Sequence, residues 1–349
     1  MNGEQSGLGS SEPTARTARL AAAHITAGSA VCETYLVKSK ESRTTKGGKP
    51  FLRLRIGDRT GALDCMVWED AERLARRFEV GDLVIVRGRA TEYQGVVQLE
   101  AADVQKAPPG GTDPRAFLPA TYRDVEELKG FLQFHVDSVY DPHYRTLLQA
   151  VFENQEFLAR FADAPAAKTF HHAYLGGLLE HTVTVADLCD HVSQQYGRVN
   201  RDLLIATALL HDVGKVDELS FERSIDYSEA GKFLGHVILG VTFVSEKASS
   251  IPGFPEDKLR LLLHAIVSHH GELEWGSPKR PKTIEALILH HVDNLDAKVK
   301  GFLEIVEGSR DAEWTDLRNL FRRPLHVPKA SHQELGFLPP EEGPDSEGF

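Results

Sequence analysis

The hydrophobic period of this 349-residue chain changes once, and that change limits its fold more than any other feature. In residues 28–105 apolar positions recur every second residue. In "PFLRLRIGD", Leu52, Leu54 and Ile56 alternate with Phe51, Arg53 and Arg55, which sends the two sets to opposite faces of a strand. "SAVCETYLVKS", "GALDCMVW" and "DLVIVRGRATEYQGVVQLE" supply the other strands, and "EDAERLARRF" a short helix between the third and the fourth. From Asp124 onward apolar residues recur at helical spacing, with Gly and Pro at the joints. "PHYRTLLQAVFENQEFLARF", "NRDLLIATALLHDVGK" and "GKFLGHVILGVTFVSEKAS" each read as one helix. "KAPPGGTDPRAFLPA" separates the two patterns with four prolines and two glycines. The chain is therefore multidomain, an all-β domain followed by an all-α one. The expected order is a disordered lead-in (1–24), the β domain (25–105), a linker (106–122), the helical domain (123–310) and a loose Pro/Glu/Gly-rich tail (311–349).

Composition adds limits. No apolar run approaches the ~18 residues that span a bilayer, and the N-terminus lacks a basic start followed by an apolar core. Cys32, Cys65 and Cys189 follow no metal or disulfide spacing. A cytoplasmic protein with no membrane partner is expected. The net charge of −11 argues against a surface coated with phosphate-binding groups, yet residues 38–59 hold eight Lys and Arg against two acids. Five strands with a helix between the third and fourth is the order of an OB-fold barrel. The basic strip lies on its first two strands and their connection. A groove for single strands needs such cations and aromatic faces on which bases stack. The expected contacts are Tyr35, Lys38, Arg43, Lys46, Lys49, Phe51, Arg53 and Trp68. The plain alternative is a solvated face of a small barrel whose aromatics are core.

Eleven of the 16 histidines fall between residues 171 and 291. Leu178, His181, Val185, Leu188 and Val192 share one helical face, so His181 points inward. His211–Asp212 ends the apolar helix "LLIATALL", His236 stands in "LGHVILG", His269–His270 ends "LLLHAIVS", and Asp293 lies in "ALILHHVDNLDA". A buried carboxylate costs several kcal/mol unless it is paired or metal-bound. Any one inward histidine is more often a hydrogen-bonded core residue than a ligand. Two aspartates and several histidines on five apolar helices make sense together around metal ions. His191 reads as surface, and His264, His290 and His291 as packing residues or supports. His135, His143, His326 and His332 have no informative context.

The order His181, His211–Asp212, Asp293 resembles the HD superfamily of metal-dependent phosphohydrolases, and His236 with His269–His270 resembles its two-metal versions. "FHHAYLGGLLEHT", "ALLHDVGK", "LGHVILGV", "SHHGELEWGSP" and "DNLDAK", preceded by the barrel, look like the bacterial YhaM-type 3′→5′ exoribonucleases over about residues 28–300. Thr169–Phe170 departs from the more polar pair expected before His171–His172.

The resemblance implies that Asp212 bridges two divalent ions. His181, His211 and Asp293 would complete one site, and His236, His269 and His270 the other. It implies Mn²⁺; mixed nitrogen and oxygen ligation also suits Fe²⁺, Co²⁺, Ni²⁺ or Zn²⁺, and suits Mg²⁺ less. Two such ions activate water and bind phosphate oxygens for an in-line displacement. Lys215 is expected to join Asp212 in catalysis by meeting a phosphate oxygen, with a helix-dipole lysine as the alternative. Gly214 is expected to let the chain turn. His171, His172 and Trp275 are candidate substrate contacts, although a tryptophan also anchors turns. The implied activity is 3′→5′ cleavage of single-stranded RNA to nucleoside 5′-monophosphates, with single-stranded DNA as a further substrate and homo-oligomerisation open. Two other functions fit parts of the pattern. One is an HD hydrolase of small nucleotides or cyclic dinucleotides, disfavoured for cyclic dinucleotides because Lys215–Val216 follows Gly214 where a Gly-Tyr-Pro signature would stand. The other is a non-catalytic single-strand binding protein, disfavoured by the full ligand set.

Overall fold

The computed structural model describes residues 20–108, 114–309 and 312–328. The chain divides into two compact units, Met1–Phe117 and Leu118–Phe349. The first contains strands β1 (Ala30–Thr44), β2 (Pro50–Asp58) and β3 (Gly61–Val67), helix α1 (Ala71–Ala75), and strands β4 (Leu83–Tyr93) and β5 (Val96–Lys106). They close into a barrel in the order β1-β2-β3-β5-β4, with β3 and β5 parallel and the other pairs antiparallel. This is the OB arrangement expected from the sequence. Leu52, Leu54 and Ile56 point inward and are fully buried, as their alternation requires.

Two expectations about this unit change. Tyr35 is not a groove residue: its ring is fully buried and its hydroxyl donates to the Leu20 carbonyl at 3.0 Å. Its position in β1 turns it into the barrel, whose interior needs large side chains to fill it. The expected lead-in is also too long. Ala22 and Ile25 are buried in the barrel core, and the Ala22 amide donates to Asp58 Oδ2 at 3.0 Å. The rest of the lead-in, residues 1–19, lies outside the described residues.

The second unit is helical: α2 (Val125–Asp137), α3 (Pro142–Phe152), α4 (Gln155–Asp163), α5 (Gly177–Ser193), α6 (Arg201–Leu210) and α7 (Lys215–Glu218). A two-residue strand pair follows, β6 (Leu219–Ser220) and β7 (Asp226–Tyr227). Then come α8 (Glu229–Ser249), α9 (Glu256–Ser268) and α10 (Ile284–Glu307). Side-chain caps set the starts: Asp124, Asp141, Asn200, Ser228 and Thr283 each accept from the first-turn amides. Asn154 caps α4 in the same way, which splits the segment expected as one helix into α3 and α4. In α6 every residue from Leu203 to Leu210 is buried, so this helix is the axis of the domain.

The linker is shorter than the composition suggests. Lys106 still pairs with Val84 in the barrel, and Phe117 is buried. Ala120 already pairs with Leu175 and Thr121 donates to Glu180 Oε2 at 2.6 Å, both within the helical unit. The tail is ordered through its first part: Trp314 pairs with His326, and Leu325 and Val327 are buried. The rest of the expected tail, residues 329–349, lies outside the described residues.

Tyr35→Ala empties the barrel interior. It is expected to lower unfolding free energy by about 3–5 kcal/mol, as other large core truncations do, read from urea unfolding monitored in the β signal. A change below about 1 kcal/mol would place the ring outside the core.

Candidate functional site

The helical core brings the expected ligands into one place. α6 ends at Leu210, and His211 and Asp212 follow as the chain turns toward α7. His181 comes from α5, His269 and His270 from the end of α9, and Asp293 from α10. His236 needs a local break. Gly235 has φ +71° and ψ 160° inside α8, which kinks the helix. The His236 amide freed there donates to Glu218 Oε1 at 3.0 Å.

Two clusters result. The ligand atoms of His181, His211 and Asp293 lie within 4.8 Å of one another, as do those of His236, His269 and His270. Asp212 stands between them. Its Oδ2 is 3.5 Å from His181 Nε2 and 3.3 Å from His211 Nε2, while its Oδ1 is 3.7 Å from both His236 Nε2 and His269 Nε2. Oδ1 is buried and has no hydrogen-bond partner. His181 and His211 bring their Nε2 atoms to 3.2 Å, as do His236 and His270. Ligand atoms sharing an ion at bonds of about 2.1 Å stand about 3.0–3.4 Å apart. The spacing and the unpartnered oxygen both fit metal ions.

Four of the five distal ring nitrogens are held, while His270 Nδ1 is buried without a hydrogen-bond partner among the described residues. His181 Nδ1 donates to Asp296 Oδ2 at 2.6 Å, and His236 Nδ1 to Glu218 Oε1 at 3.0 Å. His211 Nδ1 donates to the Ala208 carbonyl at 2.8 Å, and His269 Nδ1 to that of Ile266 at 2.6 Å. Each bond fixes the ring and leaves Nε2 facing the site, the usual support of a metal-binding histidine. A third group of three potential ligands, His172, His181 and Asp296, is also present. Its shortest separation is the 2.6 Å hydrogen bond from His181 to Asp296, shorter than ligands on one ion allow.

The electrostatics favour a cation. Burial opposes the charged form of Asp212, but Lys215, His211 and His236 overcome it and hold the carboxyl well below the usual range. For Asp293 and Asp296 burial is likewise overcome by hydrogen bonds, from His181 to the first and from His172 and His181 to the second, and both stay ionised. Burial would lower the His181 pKa, yet Asp293 and Asp296 push it up to about 10. Burial keeps His269 and His270 neutral, the ligating form.

A cavity of about 230 Å³ meets the clusters and is lined by His171, Asp212, Lys215, His269, His270, Trp275, His290, Asp293, Asn294 and Ala297. Lys215 Nζ is 2.5 Å from Asp212 Oδ2. His171 (φ +39°) and His172 (φ +57°) both adopt the left-handed backbone, which is costly for side-chain-bearing residues and clusters at working sites. The turn separates them. His171 lines the cavity, whereas His172 is buried, bridging Tyr174 Oη (2.9 Å) and Asp296 Oδ2 (3.0 Å). His172 is therefore not a substrate contact but a support for Asp296. Trp275 lines the cavity and remains half exposed. Gly214 stands in the turn before α7, but the turn does not need a glycine's freedom. Its φ is −66°, and a Cβ there would lie 2.1 Å from the His236 carbonyl and 2.5 Å from the Gly240 nitrogen. Glycine is needed for close approach of α7 to α8.

On the barrel, Phe51 and Trp68 stack with centroids 4.9 Å apart. Trp68 and Lys49 line a hollow with Arg73 of α1 and Arg76 just after it. Lys46 and Lys49 are exposed, with no ion pair among the described residues. Arg43 pairs with Glu41, and Arg53 with Asp64 at 2.7 Å. Lys38 Nζ is turned onto the carbonyls of Asp58 (3.4 Å) and Gly61 (3.3 Å), which closes the barrel rather than facing a strand.

Sequence reasoning missed Asp296 and Glu218. Asp296 lies one turn beyond Asp293 in "DNLDAK", a spacing that puts both carboxylates toward one face. Glu218 carried no such signal, because the Gly235 kink determines its contact with His236.

Residues 36–107 match the OB-fold nucleic acid binding domain and residues 178–298 the HD domain. The chain is similar to the 3′-5′ exoribonuclease YhaM of Geobacillus sp. (strain WCH70), 33% identical over 294 residues covering 84% of this chain and 90% of that protein. It is 32% identical to the 3′-5′ exoribonuclease YhaM of Bacillus subtilis (strain 168) over 83% of this chain and 91% of that protein. To that of Listeria welshimeri serovar 6b it is 32% identical over 80% of this chain and 89% of that protein.

If Asp296 orients His181, Asp296→Asn should weaken divalent-metal affinity by about 10–100-fold. Competition with a chromophoric chelator measures this, and an unchanged affinity would remove Asp296 from the support of the site.

Proposed function

Since the chain belongs to the YhaM 3′-5′ exoribonuclease family, we propose that it hydrolyses single-stranded RNA from the 3′ end and releases nucleoside 5′-monophosphates. The observation that carries this reading is the buried Asp212 carboxylate, which turns one oxygen toward each imidazole cluster. His181, His211 and Asp293 would hold one divalent ion and His236, His269 and His270 the second, with Asp212 shared. Bound there, the ions supply an activated water at neutral pH and charge for the phosphate oxygens. Five imidazoles among the ligands favour Mn²⁺ or its later neighbours over Mg²⁺, and we take Mn²⁺ as the working metal.

The chain's own groups do the rest. Burial lowers the pKa of Lys215, but Asp212 and Asp293 more than compensate, so the ammonium stays charged beside the cavity. It meets a non-bridging phosphate oxygen there. His171 borders the same space, and Trp275 offers a face for the terminal base. Phe51 and Trp68 stack bases farther along the strand, and Lys46 and Lys49 with Arg43 and Arg53 follow its phosphates. Single-stranded DNA can use the same stacking surface. The free thiols Cys32, Cys65 and Cys189 suit the reducing cytoplasm, and among the described residues no helix is long and apolar enough to cross a membrane.

With 5′-labelled single-stranded RNA and Mn²⁺, a ladder shortening from the 3′ end is expected. Asp212→Ala should slow it by at least about 10³-fold. Activity surviving that change would overturn the mechanism, and cleavage of small nucleotides alone would overturn the substrate.

Trp68→Ala removes one stacking face. It should weaken RNA binding by about 1–3 kcal/mol without changing hydrolysis of a dinucleotide. Fluorescence anisotropy with labelled RNA reads the first effect; equal affinity for both proteins would exclude Trp68 from the groove.

A further inference from the structure

α10 presents His290, Asp293, Asn294 and Ala297 to the cavity. These positions are three or four residues apart and share one helical face. The polar groups among them differ in one respect. His290 Nδ1 donates to the His269 carbonyl at 2.9 Å, and Asp293 Oδ1 lies 3.3 Å from His181 Nε2. The Asn294 carboxamide has no hydrogen-bond partner among the described residues, although its residue is partly buried. It is next in sequence to a metal-ligand candidate, and Ala297, one turn on, is too small to occupy the space before it. One further turn from Asn294, Lys298 holds its ammonium 5.7 Å from the Trp275 ring. That contact helps fix the ring across the cavity.

We propose that Asn294 reads the sugar hydroxyls of the strand's 3′-terminal nucleotide, and so makes the site favour a ribose terminus over a 2′-deoxy one. A carboxamide offers two N–H donors and a carbonyl acceptor in one plane. The terminal ribose carries neighbouring 2′ and 3′ hydroxyls, each a donor and an acceptor. The amide N–H donates to one while the carbonyl accepts from the other. A 2′-deoxy terminus offers a single hydroxyl and leaves half of the amide unpaired, which is how a site built to bond a hydroxyl rejects its absence. The aspartates that line the cavity are engaged otherwise, since Asp212 and Asp293 turn their oxygens to the imidazole clusters. Trp275 holds the base by its face, so the reading is of sugar and not of base identity. This inference rests on the exoribonuclease reading.

The test compares wild type, Asn294→Ala and Asn294→Leu, all loaded with Mn²⁺. The substrates are one RNA sequence ending in a ribonucleotide and the same RNA ending in a 2′-deoxynucleotide. In parallel, calorimetry measures binding of AMP, dAMP, UMP and dUMP. Wild type should favour the ribose form by about tenfold in rate and in affinity, a preference of the size one neutral hydrogen bond supplies. Both variants should lose most of it, down to about twofold or less, by weakening only the ribose forms. Asn294→Leu keeps the bulk and removes both the donors and the acceptor, so its loss separates hydrogen bonding from packing. Three results would overturn the proposal: no ribose preference in wild type, a preference that persists in both variants, or a loss that follows base and not sugar. A wild type that degrades no strand sinks the exoribonuclease reading, and the nucleotide affinities then still decide the role of Asn294.

Discussion

A single carboxylate buried at the end of an apolar helix sets the terms for the helical domain. Ionised Asp212 would cost several kcal/mol alone in such surroundings. The fold answers with Lys215 on one oxygen and imidazoles around both. Those imidazoles come from α5, α8 and the end of α9, so three separate helices must converge on the turn that follows α6. The fully buried run from Leu203 to Leu210 holds that turn in position. Packing fixes the rest: Gly214 admits the α8 backbone to a distance that any side chain would block. Replacing the glycine would move His236, and with it one of the two clusters.

Four of the five histidines of the two clusters have a support, and these supports are of two kinds. In each cluster one ring is anchored by a carboxylate, Asp296 or Glu218, and one by a backbone carbonyl, of Ala208 or Ile266. The carbonyl anchors lie three residues back on the ring's own helix. They come with the helix itself and need no particular side chain. The carboxylate anchors cross between elements and depend on the tertiary fold. Asp296 draws in His172, Tyr174 and Glu180, so a chain of polar contacts ties α5 to α10 behind the ligands.

That division explains what the sequence made legible. The order of strands followed from alternation, and the inward faces of His181 and His211 from helical spacing. The histidines could be read as one set because the carboxylates stood on apolar helices with them. The missing parts depend on contacts distant in sequence. Glu218 meets His236 only because Gly235 breaks a segment that reads as one continuous helix. His171 and His172 are adjacent, and only the left-handed backbone at both sends one to the cavity and the other into the core. Tyr35 lay among surface cations in the sequence but inside the barrel in space. Ala120 and Thr121 looked like linker because composition cannot show a bridge to Leu175 or a bond to Glu180.

The carboxylate anchors also alter the charge of the centre. Asp212, Asp293, Asp296 and Glu218 are four anions, and Lys215 is the nearby cation that offsets one of them. Metal ligation requires His181 to give up the proton that Asp293 and Asp296 favour; with the histidines so deprotonated, this set carries a net charge of about minus three. Two divalent cations would turn it to about plus one, the counterpart of the one negative charge on a phosphodiester. A centre held only by backbone carbonyls would be more positive by two and would grip the product, a phosphomonoester with a larger negative charge, more tightly. In the proposed mechanism Asp296 and Glu218, besides aiming two rings, would match the loaded centre to the charge of the bond to be cut and favour release of the product.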